Sequence, residues 1–248
     1  MADNTAAVTE LFSALHSLTS YDVSPTLDTN LPGWFTHPTM GIVRDGRNFD
    51  QHGYFAQTLL ISEHTGSHVD APRHIHPGSE TIEDFGPDVL FAPYKKYDLT
   101  RFELEAGVPV TLEQIEQVER EDGIELREGD IAILQFGWDQ YLKPDSHDPE
   151  ERGWWGANEP GLTDEACKHF ADRKIRAIGA DSAAVDIVIK DGKLTDAPGH
   201  AVHFLPNRIL IIEGLVNLGA PPVEGAFFAM PLKIDGGSGS PIRAAMFG

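Results

Sequence analysis

Four of the eleven histidines in this chain lie in one short segment, residues 63–76, which reads EHTGSHVDAPRHIH. Asp70 follows His68 by two residues in the same segment. Neutral imidazoles and a carboxylate suit Zn²⁺, Mn²⁺ or Fe²⁺, and the absence of thiolates favours a catalytic over a closed structural metal site. We therefore predict that His64, His68 and Asp70 are metal ligands and that a fourth position is left for water or substrate.

The spacing His-x-x-x-His also occurs on helices, where it places two imidazoles on one face. A helix is disfavoured here, because Gly66 lies between the two histidines and Pro72 favours an extended conformation for the residue before it. In an extended segment, His68 and Asp70 project to the same side of the chain. A bend at Gly66 then allows His64 to join them.

The run from residue 54 to residue 61 is rich in apolar and β-forming residues. It predicts a strand, and it places the motif on the following loop, where a rigid sheet edge can hold the ligands. After the motif, Pro72 fixes the direction of the chain toward His74. A histidine in that place suits a positioned general base, so we predict that His74 is a catalytic residue and not a ligand.

Residues 64–74, HTGSHVDAPRH, resemble the signature His-x-Gly-Thr-His-x-Asp-x-Pro-x-His of the cyclase-like metal-dependent hydrolases, which include bacterial kynurenine formamidase and isatin hydrolase. Ser67 replaces the signature threonine and keeps its hydroxyl group. Gln135-Phe136 stands where many members carry Arg-Thr, so the resemblance does not determine the residues of the substrate pocket. The resemblance extends over most of the chain, through residues 21–24, 129–138, 177–182 and 211–218.

This resemblance implies an α/β fold, a single compact swivelling β/β/α domain over residues 1–248. It also implies a catalytic divalent metal ion, Zn²⁺ or Mn²⁺, and hydrolysis of an amide or lactam carbon–nitrogen bond. The expected partner is a small-molecule substrate, and the expected assembly is a homo-oligomer.

The composition restricts the possible partners. A net charge of −20 disfavours binding to nucleic acid or to an anionic membrane, because phosphate contacts need a basic surface. No segment resembles a signal peptide or a membrane span, so a cytoplasmic location is expected. Cys167 is the only cysteine, which excludes an intrachain disulfide and a cysteine-based metal site. We expect Cys167 to lie on a helix that is capped by Thr163 and to have a packing role.

Alternating helical and apolar signals predict mixed α and β structure. The capping-box pattern at residues 111–114 begins a helix that is expected to end before Gly123. Buried strands are predicted at residues 131–136, 176–180 and 208–212. Two further segments are a candidate functional loop, 143–160, and a flexible glycine- and serine-rich stretch, 236–240, after which the tail is expected to dock on the body or on another subunit.

Two distant features can complete the site. Glu213 follows an apolar strand, where an unpaired carboxylate is costly, so we predict that it binds the metal; a structural salt bridge is the alternative. The resemblance implies a histidine shortly before this glutamate, and we choose His200 with His203 as its rival. Aromatic residues that could hold a flat aryl substrate are Phe136, Trp138, Trp154 and Trp155, although core packing also accounts for Trp138.

The mechanism that fits these residues is metal-assisted attack of water on an amide carbonyl, with His74 removing a proton and returning it to the departing nitrogen. One alternative is a metal-dependent cyclase or dehydratase that acts on a polyketide or hydroxy acid. Another is a metal-binding or small-ligand module without catalysis, which leaves His74 without a role.

Overall fold

A curled nine-stranded mixed sheet forms the centre of the computed structural model, which describes residues 4–143, 145–146, 148–190 and 192–248. The strands along the chain are β1 (Ser20–Asp22), β2 (Gly41–Arg47), β3 (Ala56–Leu60), β4 (His68–Asp70), β5 (Ala92–Asp98), β6 (Pro109–Val110), β7 (Ile131–Gln135), β8 (Gly161–Leu162), β9 (Ala177–Ala180), β10 (Ile189–Lys190), β11 (Lys193–Leu194), β12 (Leu210–Glu213), β13 (Glu224–Phe228), β14 (Gly239–Pro241) and β15 (Ala245–Phe247).

The α-helices are α1 (Thr5–Ser17), α2 (Phe49–His52), α3 (Leu112–Asp122), α4 (Pro149–Trp154) and α5 (Asp164–Asp172). Shorter 3₁₀ turns lie at Pro72–His74, Ile82–Asp84, Thr100–Phe102, Trp138–Tyr141 and Leu205–Asn207, and a π-helical turn spans Gly199–His203. Within the described residues, no helix has the length and apolar character needed to cross a membrane.

The spatial order of the large sheet is β1-β15-β13-β5-β7-β9-β12-β4-β14. Its centre, β5-β7-β9-β12, is parallel, and the strands on either side run antiparallel to their neighbours. The parallel strands are covered on both faces, which explains why the predicted strands are apolar runs without polar alternation. The β4 strand of the histidine motif is therefore paired on one side with β12 and on the other with β14.

Two apolar clusters cover the two faces of the sheet. In β7, Ile131 and Ile133 point into one cluster, and Ala132 and Leu134 point into the other. Helices α3 and α5 pack on the second face, and Cys167 of α5 is buried there, as predicted. Burial raises the pKa of this thiol well above its usual value, which is typical of an inert packing cysteine.

Local signals in the sequence set the helix ends. Thr111 and Gln114 form the expected reciprocal capping box at the start of α3, and Gly123 ends the helix with a positive φ of 65°. Thr163 caps α5 by accepting a hydrogen bond from the backbone N–H of Ala166.

Two expectations about the surroundings of the motif are wrong. The strand before it, β3, is exposed at every position and pairs only with β2 in a separate ribbon, so it is not the sheet edge that holds the ligands. The glycine- and serine-rich stretch is not free either, because Gly239 and Ser240 form a buried part of β14. A Cβ on Gly239 would lie 2.6 Å from the carbonyl oxygen of Val69, so only glycine allows this strand to approach β4. Beyond it, β15 docks on the sheet, as expected of the tail.

Candidate active site

Two neighbouring strands bring three of the predicted metal ligands together. His68 and Asp70 lie on β4 with one residue between them, and Glu213 is the cross-strand neighbour of His68 on β12. Opposed residues of an antiparallel pair project from the same face of a sheet. The His68 Nε2 atom accordingly lies 3.3 Å from Glu213 Oε2 and 3.7 Å from Asp70 Oδ1. The three side chains are buried.

A tight turn before β4 adds His64. Gly66 has a positive φ of 64° in this turn, the bend that the motif predicts. The hydroxyl of Ser67 donates a 2.8 Å hydrogen bond to the carbonyl of Gly214, just after β12. The signature threonine has a hydroxyl at the same position, and this hydroxyl connects the turn to the end of β12. His64 Nδ1 comes within 2.7 Å of Asp70 Oδ1.

His200 reaches the same cluster from the π-helical turn. Its Nε2 atom lies 3.2 Å from Glu213 Oε1 and 3.6 Å from Asp70 Oδ2. The rival residue His203 points elsewhere and pairs with Asp164 Oδ1 at 2.8 Å. The sequence did not distinguish His200 from His203 as the candidate ligand, and the fold brings His200 to the cluster.

The three clustered histidines share one hydrogen-bonding arrangement. His68 Nδ1 lies 2.8 Å from the Gly66 carbonyl, and His200 Nδ1 lies 2.6 Å from Asp186 Oδ1, so each of these nitrogens carries the hydrogen and donates it. His64 Nε2 lies 3.0 Å from the Ser238 hydroxyl, which itself donates to a glutamate and so accepts from the ring. The remaining ring nitrogen of each histidine faces the carboxylates, where it can hold either a proton or a metal ion.

This arrangement fits a divalent metal. Metal-binding histidines usually donate their second ring N–H to a carbonyl or carboxylate, as these do. His64 Nδ1, both oxygens of Asp70 and Glu213 Oε1 are buried without a hydrogen-bond partner, which is costly unless a cation satisfies them. The ligand atoms of His68, Asp70 and Glu213 lie within 4.8 Å of one another. Imidazole nitrogens with carboxylate oxygens are a donor set for zinc or manganese.

The charges of the site require a positive partner even without a metal. Burial alone would lower the pKa of His68, but the hydrogen bond to Glu213 and the charge of Asp70 outweigh burial and raise it to about 9. Burial would likewise raise the pKa of Asp70, but the neighbouring imidazoles hold it well below its usual range. Asp70 therefore stays ionised, and a proton on His68 balances its charge when no cation replaces that proton.

His74 differs from the three clustered histidines. It ends the short 3₁₀ turn after Pro72, and its ring centre lies 4.2 Å from that of His64 and 6.1 Å from that of His200. In the described part of the chain, its ring nitrogens make no hydrogen bond. Burial lowers the pKa of His74, which keeps the ring neutral and able to accept a proton.

A cavity of about 270 Å³ opens beside the cluster and is lined by His64, His68, His74, His200 and Glu213. Trp155 also lines it. The other predicted aromatic ligands do not: Phe136 and Trp138 are buried in the core, and Trp154 stacks on Trp138 at a ring distance of 5.3 Å. The indole N–H of Trp138 donates to the carbonyl of Trp155, so these aromatics support the cavity wall from behind.

Several residues of the site escaped the sequence analysis. His37 lines the cavity with its ring centre 5.1 Å from that of His64, and burial lowers its pKa. Asp186, which orients His200, stands inside the apolar run 183–189, the same signal that identified Glu213. Ser238 and Glu159 carry no such signal in their sequence context.

Glu159 is a buried carboxyl group near the cluster, and neither of its oxygens has a hydrogen-bond partner. Burial, with the charges of Glu213 and Asp186, raises its pKa to about 8. The folded chain thus holds a proton that the unfolded chain releases near pH 4.5, so this group makes folding less favourable as the pH rises from 4.5 to 8.

Glu159→Gln is therefore expected to stabilise the protein on the order of 3 kcal/mol at pH 7.5 and by less than about 1 kcal/mol at pH 5. Urea denaturation in the presence of EDTA measures the difference. Glu125→Gln, at an exposed carboxylate, is the matched control and should change little at either pH. A Glu159→Gln effect that does not grow with pH would contradict the raised pKa.

Comparison with known proteins gives a consistent result. A family model described as "Putative cyclase" matches residues 21–187. A kynurenine formamidase from Salinibacter ruber is 30% identical over 201 residues, which cover 81% of this chain and 83% of that protein. An isatin hydrolase from Roseibium aggregatum is 28% identical over 211 residues, which cover 79% of this chain and 76% of that protein.

Two solved structures share the fold. An isatin hydrolase bound to the product analogue thioisatinate has a TM-score of 0.83 and 24% identity over 100% of this chain and 99% of its own. Isatin hydrolase A from Labrenzia aggregata, bound to benzyl benzoate, has a TM-score of 0.82 and 24% identity over 97% and 98% of the two chains. These likenesses confirm the predicted α/β fold of the cyclase-like type.

Proposed function

Because this chain belongs to the cyclase family, we propose that it is a metal-dependent hydrolase that cleaves the carbon–nitrogen bond of an amide or lactam in a small aromatic substrate. The relatives named kynurenine formamidase and isatin hydrolase support an aryl formamide or an isatin-type lactam as the substrate class. The observation that carries the proposal is the set of three imidazole nitrogens that converge on Asp70 and Glu213, next to His74 in an apolar cavity.

The residues of the chain have separate tasks in this reaction. A divalent metal held by His64, His68, Asp70, His200 and Glu213 would supply Lewis acidity, which polarises a carbonyl and lowers the pKa of water. The apolar side chains that line the cavity offer contacts to an aromatic ring.

His74 is the proton carrier in the proposal. Because its imidazole is neutral, one ring nitrogen can accept a proton from the attacking water while the new carbon–oxygen bond forms. The same nitrogen then gives the proton to the departing nitrogen as the carbon–nitrogen bond breaks. The products are an amine and a carboxylic acid, and the acid releases its proton to the solvent to become a carboxylate. The two groups remain in one molecule when the substrate is a lactam.

A metal and substrate panel tests the function. Protein loaded with Zn²⁺ or Mn²⁺ is expected to hydrolyse formanilide or isatin, and removal of the metal with EDTA should abolish that activity. Elemental analysis of the same samples reports whether metal is present. Bound metal without hydrolysis of either compound would reject the amide hydrolase and favour the ligand-binding alternative.

Glu213→Gln is expected to weaken metal binding by about 10–100-fold or more, because it deletes a charge next to two imidazoles and keeps the size of the side chain. His200→Ala should have a similar effect. His203→Ala is the matched control and should leave metal affinity unchanged, since His203 pairs with Asp164 away from the cluster. Competition with a chelator measures the three affinities.

Unchanged metal affinity and turnover in Glu213→Gln would reduce Glu213 to a structural acid. The metal site would then be confined to residues 64–74. Loss of metal in His203→Ala but not in His200→Ala would reverse the choice between the two histidines.

A homo-oligomer is also part of the proposal. The β2–β3 ribbon supports it, because a two-stranded ribbon with exposed apolar side chains on it is only marginally stable by itself. Light scattering in solution is expected to give a mass above the 27.2 kDa of one chain. A monomeric mass would contradict it. The cytoplasmic location stays a prediction.

A further inference from the structure

His64 is oriented in the opposite sense to the other two imidazoles of the cluster. His68 and His200 donate from Nδ1 and turn Nε2 toward the carboxylates. In His64, Nε2 lies 3.0 Å from the Ser238 hydroxyl and Nδ1 lies 2.7 Å from Asp70 Oδ1. A hydroxyl can donate or accept a hydrogen bond, whereas a carbonyl or a carboxylate only accepts. The hydroxyl alone therefore does not determine which nitrogen of His64 carries the hydrogen.

Glu63 determines the direction of this hydrogen bond. Its Oε2 atom accepts a 2.9 Å hydrogen bond from the backbone N–H of Ser238 and a 2.5 Å hydrogen bond from the Ser238 hydroxyl. Because the hydroxyl has a single hydrogen, it can then only accept from the ring of His64. Nε2 of His64 carries a hydrogen as a result, and Nδ1 is the nitrogen that is available to a metal ion.

The main chain holds Ser238 at a fixed place beside the motif. The carbonyl of Ser238 accepts a 2.9 Å hydrogen bond from the backbone N–H of Ala71, the residue that follows β4. The next residue, Gly239, packs against the ring itself, because a Cβ there would lie 2.8 Å from Cε1 of His64. The hydroxyl is therefore preorganised to orient this imidazole.

Ser238, His64 and Asp70 also have the order of a Ser–His–Asp triad, in which the serine is a nucleophile and the histidine takes its proton. Two observations argue against that role. The hydroxyl hydrogen of Ser238 is already donated to Glu63. Neither Ser238 nor Glu63 is among the described residues that line the cavity, so the hydroxyl does not face a substrate.

We propose that Glu63, acting through the Ser238 hydroxyl, sets the tautomer of His64 and aims its Nδ1 at the metal ion. Glu63 and Ser238 are then positioning residues, since they act on the reaction only through His64. The proposal rests on the proposed metal-dependent function and adds these residues to the metal site. Residues that orient a ligand are typically worth about 10–100-fold in metal affinity.

Chelator competition with Zn²⁺ tests the relay. Ser238→Ala is expected to weaken Zn²⁺ binding by about 10–100-fold. Glu63→Ala should act in the same direction, because it frees the hydroxyl to donate to Nε2 of His64 and so favours the wrong tautomer. Glu63→Gln should recover most of the affinity that Glu63→Ala loses, since both hydrogen bonds from Ser238 go to one oxygen and the amide oxygen can accept them.

Glu83→Ala is the matched control for the effect of anchoring the loop. Glu83 Oε1 accepts a 2.7 Å hydrogen bond from the backbone N–H of Gly236, in the same loop as Ser238, but it has no connection to His64. This variant is expected to bind Zn²⁺ with the affinity of the wild type. A loss in Glu83→Ala equal to that in Glu63→Ala would overturn the proposal, because the glutamates would then serve only to hold the loop.

NMR of Zn²⁺-loaded protein with ¹⁵N-labelled histidine gives a signature of the tautomer. His64 is expected to carry its hydrogen on Nε2, whereas His68 and His200 carry theirs on Nδ1. In Ser238→Ala, the N–H of His64 should exchange faster with solvent, and those of His68 and His200 should not change. The same tautomer in all three rings of the wild type would overturn the proposal.

The remaining outcomes separate this proposal from the proposed function. Equal Zn²⁺ affinity in wild type, Ser238→Ala and Glu63→Ala would overturn the relay and leave the hydrolase function standing. Complete loss of isatin and formanilide turnover in Zn²⁺-saturated Ser238→Ala would also overturn it, because the hydroxyl would then be the nucleophile. Wild-type protein that binds Zn²⁺ with the expected tautomers but hydrolyses neither compound would overturn the proposed function and uphold the relay.

Discussion

Replacing Asp70 by asparagine is expected to remove the metal from the purified protein and to reduce turnover to background. Asp70 is the shared member of the cluster, with Oδ1 close to His64 and His68 and Oδ2 facing His200. The substitution keeps the shape of the side chain and removes the buried negative charge that the cation would balance. The loss of metal affinity should exceed the ~10–100-fold typical of residues that only orient ligands.

Elemental analysis and chelator competition measure this effect. Asp164→Asn is the matched control, because Asp164 is an exposed aspartate that pairs with His203 and should not change the metal content. Equal metal content in wild type and Asp70→Asn would reject the whole ligand assignment, since no other residue of the cluster contacts as many of the others. His64→Ala and His68→Ala are expected to follow Asp70→Asn.

His74→Ala is expected to lower kcat by ~10²–10⁴-fold while the metal content stays at the wild-type level. The reason is that His74 makes no hydrogen bond in the described part of the chain and keeps a neutral ring beside the cluster, as a proton carrier must. His76→Ala removes a histidine from the same segment but outside the cavity lining, and it should retain most of the turnover.

The metal content of His74→Ala decides between two roles. Its ligand atom lies within 4.8 Å of those of His64 and Asp70, so a metal bound between these three residues is geometrically possible. If His74→Ala loses its metal, His74 is a ligand and the separation of metal binding from proton transfer is wrong. Retained metal together with retained turnover would exclude both roles.

Part of the site could be predicted from the sequence because it depends on local geometry. His68 and Asp70 are two residues apart in an extended segment, and this spacing places them on one face whatever the rest of the fold is. Gly66 makes the bend that brings His64 to them. The capping box of α3 is local in the same sense, since its two partners are three residues apart.

The identification of Glu213 used a different local signal. A carboxylate at the end of an apolar run needs a positive partner, and this argument holds without any knowledge of the sheet order. Asp186 is also a carboxylate within an apolar run, and it too has a partner, because the ring N–H of His200 donates to it. The sequence does not state which partner such a carboxylate meets.

Tertiary structure decided everything that depends on the register of distant strands. The pairing of β4 with β12 sets Glu213 opposite His68, and β14 brings Ser238 to His64 from 174 residues away. His200 and His203 lie in the same π-helical turn, and only the packing of that turn places His200 beside Glu213 and His203 beside Asp164. Likewise, four aromatic residues look equivalent in the sequence, yet only the packing of the core leaves Trp155 at the cavity.

The sequence by itself therefore determined the metal motif, the family and the type of fold, because these follow from short-range geometry and from a contiguous signature. The tertiary structure alone brings Ser238 to His64 and Asp186 to His200, and it places His200 rather than His203 in the cluster. Ser238 lies 174 positions from His64, and His200 and His203 share one turn, so these features depend on long-range contacts or on which face of an element meets the cavity, and local spacing encodes neither.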